Sequence, residues 1–125
     1  MNVQKLGYWI ATAIVALAMI AGGSADFLLI EAVTEMMDHL GYPHYFARIL
    51  GAWKVLGGIA ILVPGFTKLK EWAYAGIFFD LTGAFVSHLA VGDGAGDFMP
   101  PLVLALLLIV SYVLRGARDD LWKHG

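Results

Sequence analysis

Apolar residues fall into four long runs separated by short polar stretches. Leu6–Ala25 carries no charge and, at about 1.5 Å per residue, covers about 30 Å, one hydrocarbon core. A second run, Ile49–Val63, is closed by Pro64-Gly65, and a third is Trp72–Ala90. The fourth starts at Pro101, a residue suited to a helix start, and ends near Leu114. Its apolar part is short. It must begin earlier, near Phe98, thin the bilayer, or continue past Arg115 with that side chain snorkelling. The pattern predicts spans at about 6–26, 48–64, 71–90 and 100–115 in a single membrane domain covering 1–125.

The connections are patterned too. Leu29, Val33, Met36, Met37 and Leu40 make one apolar stripe at helical spacing, and Glu31, Thr34, Glu35 and Asp38 lie on another face. Ile30–Leu40 is therefore expected to be an amphipathic helix on the outer membrane surface, stopped by Gly41. The competing reading extends the first helix into solvent. Val91–Met99 reads as a Gly/Asp-rich loop. Its Asp93 and Asp97 are too few for calcium, which takes roughly six to eight oxygens. The fold class is thus all-α: a four-transmembrane-helix bundle with a short amphipathic helix between spans one and two.

Composition agrees. Of 125 residues, 60% are hydrophobic, more than a soluble domain of that size can bury. Leu6–Ala25 ends in small residues, as a signal peptide would, but it is longer than a usual signal core and is expected to stay as a span. Net charge is −2, so no general basic surface attracts nucleic acid. There is no cysteine, which removes disulfides and thiolate metal sites. Lys5, Lys68, Lys70, Arg115, Arg118 and Lys123 fall on one side of the four-span topology, opposite Glu31, Glu35, Asp38, Asp93 and Asp97. The positive-inside rule then places both termini in the cytoplasm of a cell inner (plasma) membrane. Tyr8, Trp9, Trp72, Tyr74, Tyr112 and Trp122 are expected at the interfaces.

Ionisable residues inside the runs are the candidate chemistry, because such groups are rare and costly in a bilayer. They are Asp26, Lys54, Asp80 and His88. A depth count places Asp26 near one surface, with Lys54 about 9 Å below it and Asp80 about 12 Å in from the opposite face. Lys54 can snorkel toward Asp26 and His88 or reach inward to Asp80, and the outward geometry is the easier one. Small residues on each helix let the spans approach: Ala11, Ala18 and Gly22; Gly51 and Gly58; Gly76, Gly83 and Ala84. A bland reading makes Asp26–Lys54 a packing ion pair. His88 reads as a hydrogen-bond partner and not a metal ligand, since no second His stands at i+4.

Further runs carry a resemblance. Leu40-Gly41-Tyr42-Pro43, Leu50-Gly51-Ala52-Trp53-Lys54-Val55-Leu56-Gly57-Gly58 and Val63-Pro64-Gly65-Phe66 lead into Leu69-Lys70-Glu71-Trp72-Ala73-Tyr74-Ala75-Gly76. Phe78-Phe79-Asp80-Leu81-Thr82-Gly83-Ala84, Ser87-His88-Leu89-Ala90, Pro100-Pro101 and Ser111-Tyr112 follow. Together they resemble the DoxX-like family of small bacterial four-helix membrane proteins. The resemblance implies the bundle but little chemistry. In the wider group some members are linked to quinone-coupled sulfur oxidation or to membrane oxidoreductase complexes. That group commonly has a basic residue late in span one and an acidic one in span two, so Asp26 and Lys54 look like a charge-swapped pair.

Three functions are consistent with these residues. The leading one is an accessory or oxidoreductase-associated membrane protein that binds a quinone or lipid. Its pocket would open outward between spans one, two and three, with Asp26, Lys54, Asp80 and His88 as the polar part and Trp53 and Phe79 as walls. The second is an enzyme using Asp80 and His88 for proton transfer. The third is an assembly factor or structural subunit. No metal site and no resident cofactor is expected. Expected partners are the lipid bilayer, a membrane oxidoreductase partner and further copies of the chain.

Overall fold

The computed structural model describes residues 2–63 and 66–124, with side chains described as far as Arg115. The Pro64-Gly65 stop and the expectations for Arg118, Trp122 and Lys123 lie outside that set. Five helices follow one another: α1 (Val3–Leu28), α2 (Glu31–Leu40), α3 (His44–Leu62), α4 (Thr67–Ala90) and α5 (Ala95–His124). Four of them, α5 counted from Ala95 to Arg115, are long and apolar enough to cross a membrane. The protein is an all-α, multi-pass membrane protein with the expected four-span bundle.

Local chemistry sets the helix ends. The Asn2 side chain caps α1 by accepting the Lys5 amide at 2.8 Å. Leu29 enters the left-handed region at φ 52° and ends α1. Its amide and that of Ile30 bond back to the Asp26 and Ala25 carbonyls, so the chain turns without orphaned donors. This turn separates α2 from α1, which removes the reading of one long helix. α2 then buries Val33 and Met37 against Ala47 of α3, its apolar stripe inward. Gly41 closes it at φ 83°, a conformation a side chain would strain.

The fourth span begins earlier than Pro101. The Gly94 carbonyl accepts from Asp97 and Phe98, and helix starts at Ala95. Ala95–Met99 is therefore helix and not loop, and both prolines sit inside α5. This early start supplies the length that Leu102–Leu114 lacks.

The spans form a ring. α1 packs against α3 and α5, and α4 closes the circle between those two. Neighbours run antiparallel, as short connections require. Val15, Ala16, Met19, Ile61, Tyr74, Ile77, Leu81, Ala105 and Leu108 fill the centre. Leu17, Val86, Leu106 and many other large apolar residues point outward, which suits lipid and not water. Of the rings expected at the interfaces, Tyr8 and Tyr74 are buried against other helices, while Trp72 and Tyr112 are exposed. The Tyr74 hydroxyl finds its partner inside the bundle, on Ser111.

Candidate functional site

The site starts with a backbone contact. A Cβ on Gly51 would lie 2.5 Å from the Gly23 carbonyl oxygen, and one on Gly23 would lie 2.7 Å from the Gly51 oxygen. Only glycine permits α1 and α3 to meet this closely. The contact residue on α1 is Gly23; Gly22, named by the stripe pattern, meets nothing there. Because the helices run antiparallel, Asp26 lies beside Gly51 and Lys54 lies beside Gly23, and the long Lys54 side chain spans the offset to Asp26.

Lys54 Nζ donates to Asp26 Oδ2 at 2.7 Å. The same nitrogen lies 3.7 Å from Asp80 Oδ2 on α4, an ion-pair distance longer than a hydrogen bond. The three side chains are 8%, 22% and 15% exposed for Asp26, Lys54 and Asp80, so the cluster is largely removed from solvent. Lys54 thus reaches both carboxylates.

Beside the cluster a groove of about 460 Å³ runs between α3 and α4. Trp53, Lys54, Phe79 and Asp80 stand toward its α2 end, and Ala60, Leu69 and Trp72 toward the other. Trp53, Trp72 and Phe79 expose 67%, 76% and 71% of their surfaces on the bundle's flank. The sequence-based pocket opened outward among spans one, two and three. The groove instead lies between the second and third spans and faces sideways, because α3 and α4 pack loosely below Lys54 while α1 closes on α3 through the glycines.

His88 belongs elsewhere. Its Nδ1 bonds Asp93 Oδ2 at 2.6 Å, and His39 Nε2 bonds Asp93 Oδ1 at 2.6 Å. Hydrogen bonds from His88 first and His39 second hold the Asp93 carboxyl below its ordinary range. Tyr42 and Ser87 share a 2.7 Å hydroxyl bond nearby, and His44 bonds Asp38 at 2.7 Å. These contacts tie α2 and the start of α3 to the end of α4. Eight residues of helix separate His88 from Asp80, about 12 Å along the axis, too far for direct proton exchange. Among the described residues no His, Asp and Glu cluster is arranged to hold a metal ion.

A family model described as the DoxX-like family matches residues 10–111. The chain belongs to the DoxX-like family. No curated protein and no solved structure matches it. The matched segment contains Asp26, Lys54, Asp80 and the whole groove.

This DoxX-like bundle holds a second interior polar cluster that charge-based reading missed. Ser111 Oγ on α5 lies 2.5 Å from Thr12 Oγ1 on α1 and 2.7 Å from Tyr74 OH on α4. Thr12 and Ser111 are fully buried. The available signal was the pair of hydroxyls within otherwise apolar runs. At the end bearing the termini, Arg115 pairs with Glu71, which also accepts from Tyr112 OH at 3.1 Å. The Arg115 guanidinium lies 4.2 Å from the Tyr112 ring centre. Arg115 is therefore neutralised at the edge of the span.

Proposed function

We propose that this DoxX-like protein binds a hydrophobic small molecule, a quinone or a lipid, in the groove between α3 and α4. The observation that carries this reading is the junction of an apolar cavity of about 460 Å³ with the Lys54–Asp80 ion pair. A lipid-soluble molecule enters from the bilayer, lays its apolar part along Leu56, Ala60, Ala73 and Ile77, and sets its head at Lys54 and Asp80. Trp53 and Phe79 flank the head. Such a combination of apolar wall and few polar groups is what small-molecule sites require. The protein then acts as an accessory or oxidoreductase-associated subunit that holds the molecule for a partner. The Lys and Arg distribution supports an inner-membrane placement with both termini cytoplasmic.

The test is ligand retention. Protein purified in mild detergent is extracted, and bound hydrophobic molecules are identified by mass spectrometry. Thermal shift with a short-chain quinone and with phospholipid gives the second readout. A Cβ on Gly76 would meet nothing within 4 Å, so this groove-lining position accepts a side chain, and Gly76→Leu is the variant chosen to fill the groove. Retention in the wild type and its loss in Gly76→Leu are expected. No retained molecule and no thermal shift would overturn the proposal.

A further inference from the structure

The groove reading leaves the chemical class of the head open, and a charge count narrows it. Two carboxylates, Asp26 and Asp80, share one ammonium, Lys54. Among the described residues, Lys54 is the ion-pair partner of both carboxyl groups. With all three ionised, the cluster carries one negative charge inside a bilayer. The shorter contact commits Lys54 to Asp26, at 2.7 Å against 3.7 Å, so the under-neutralised oxygen is on Asp80, in the wall of the groove. Two aromatic side chains, Trp53 and Phe79, stand at the same end of the groove as Asp80. Aromatic faces attract cations, most strongly away from water. A low-dielectric wall strengthens the attraction of Asp80 for a positive head and its repulsion of a negative one.

We infer that the groove selects a hydrophobic cation, an amine or quaternary ammonium compound whose charged head rests between Asp80 and the aromatic side chains. This rests on the groove being a ligand site at all. The cation supplies the charge that balances Asp26, Lys54 and Asp80, contributed by α1, α3 and α4. An anionic head would add a second negative charge, and a neutral head would leave the imbalance untouched.

Three probes of similar shape separate these cases: tetraphenylphosphonium, triphenylphosphine oxide and tetraphenylborate, which are positive, neutral and negative. Binding to the full chain in dodecyl maltoside micelles, which carry no ammonium group, is measured by equilibrium dialysis, with empty micelles subtracted. The cation is expected to bind at least about tenfold more tightly than the neutral probe, with the anion weakest. Asp80→Asn is expected to abolish the preference, and Asp80→Glu to retain it. If Asp80→Asn does not give folded protein, the wild-type ranking of the three probes decides alone. Equal or tighter binding of the neutral probe, blocked by Gly76→Leu, overturns the cation assignment and leaves the groove as a ligand site. Binding of none of the three overturns the cation assignment, and the groove itself stands or falls by the retention and thermal-shift test.

Discussion

Two polar clusters interrupt the apolar interior of this bundle, and they obey different rules. Thr12, Ser111 and Tyr74 join α1, α5 and α4 through neutral hydroxyls, fully buried and mutually satisfied. Asp26, Lys54 and Asp80 join α1, α3 and α4 through two carboxyl groups that share one ammonium, next to a cavity. The first is what a packed membrane interior tolerates: every polar atom spends its bonding capacity within the protein. The second keeps part of its capacity unspent and places it where a lipid-soluble molecule can arrive. Stability and binding are thus assigned to different edges of one ring.

The comparison can be broken, starting with the largest effect. Lys54→Met leaves two carboxylates together without their cation. It is expected to cost about 3–5 kcal/mol, as removal of one partner of a buried pair does, read as a lowered unfolding temperature in detergent. Ser111→Ala removes the shared partner of Thr12 and Tyr74. A loss of about 1–3 kcal/mol is expected by the same measurement, with ligand retention unchanged because the groove is not touched. A loss of retention in Ser111→Ala would show that the two clusters are not separate.

Asp80→Asn sharpens the contrast further. Asp26 still holds Lys54 at 2.7 Å, which leaves one carboxyl group for one ammonium. The loss of stability is expected to be smaller than in Lys54→Met, because no charge is left without its partner, while binding in the groove changes markedly. A large drop in unfolding temperature would instead make Asp80 a packing residue.

The smallest effect concerns the α2 end. Asp93 is held below its ordinary range by His88 and His39, so its carboxylate favours the folded state. That contribution is present above the ordinary aspartate value, about 3.9, and is lost as pH falls through the lower folded value. Amides of α2 are expected to exchange faster in acid, measured by hydrogen exchange, while those of α4 beside Tyr74 do not. Asp93→Asn should remove the acid step.

Much of this was legible in order along the chain. The four spans follow from uncharged length, and α2 from its stripe and Gly41. The Asp26–Lys54 contact was reachable because each residue lies near the same end of its span. Asp80 was harder to place. A depth count assumes that helices begin level, but α3 has 19 residues and α4 has 24, and nothing local fixes how far one slides past the other. His88 was drawn toward Lys54 because both are polar and near one surface. Asp93, five residues away across a turn, satisfies it first. The hydroxyl cluster was invisible to a search for charge.

The sequence by itself determined the class of solvent, the number of spans and the identity of the ionisable groups, because transfer from water to lipid is a property of composition and length. Tertiary structure decided which groups meet. Gly23 and Gly51 draw α1 onto α3, Lys54 is thereby shared between two carboxylates, and α4 stands far enough from α3 to leave a groove beside them. Those outcomes depend on how helices slide and approach, a balance of contacts between residues 26 to 28 positions apart (Lys54 to Asp80, and Asp26 to Lys54), to which no local pattern is sensitive.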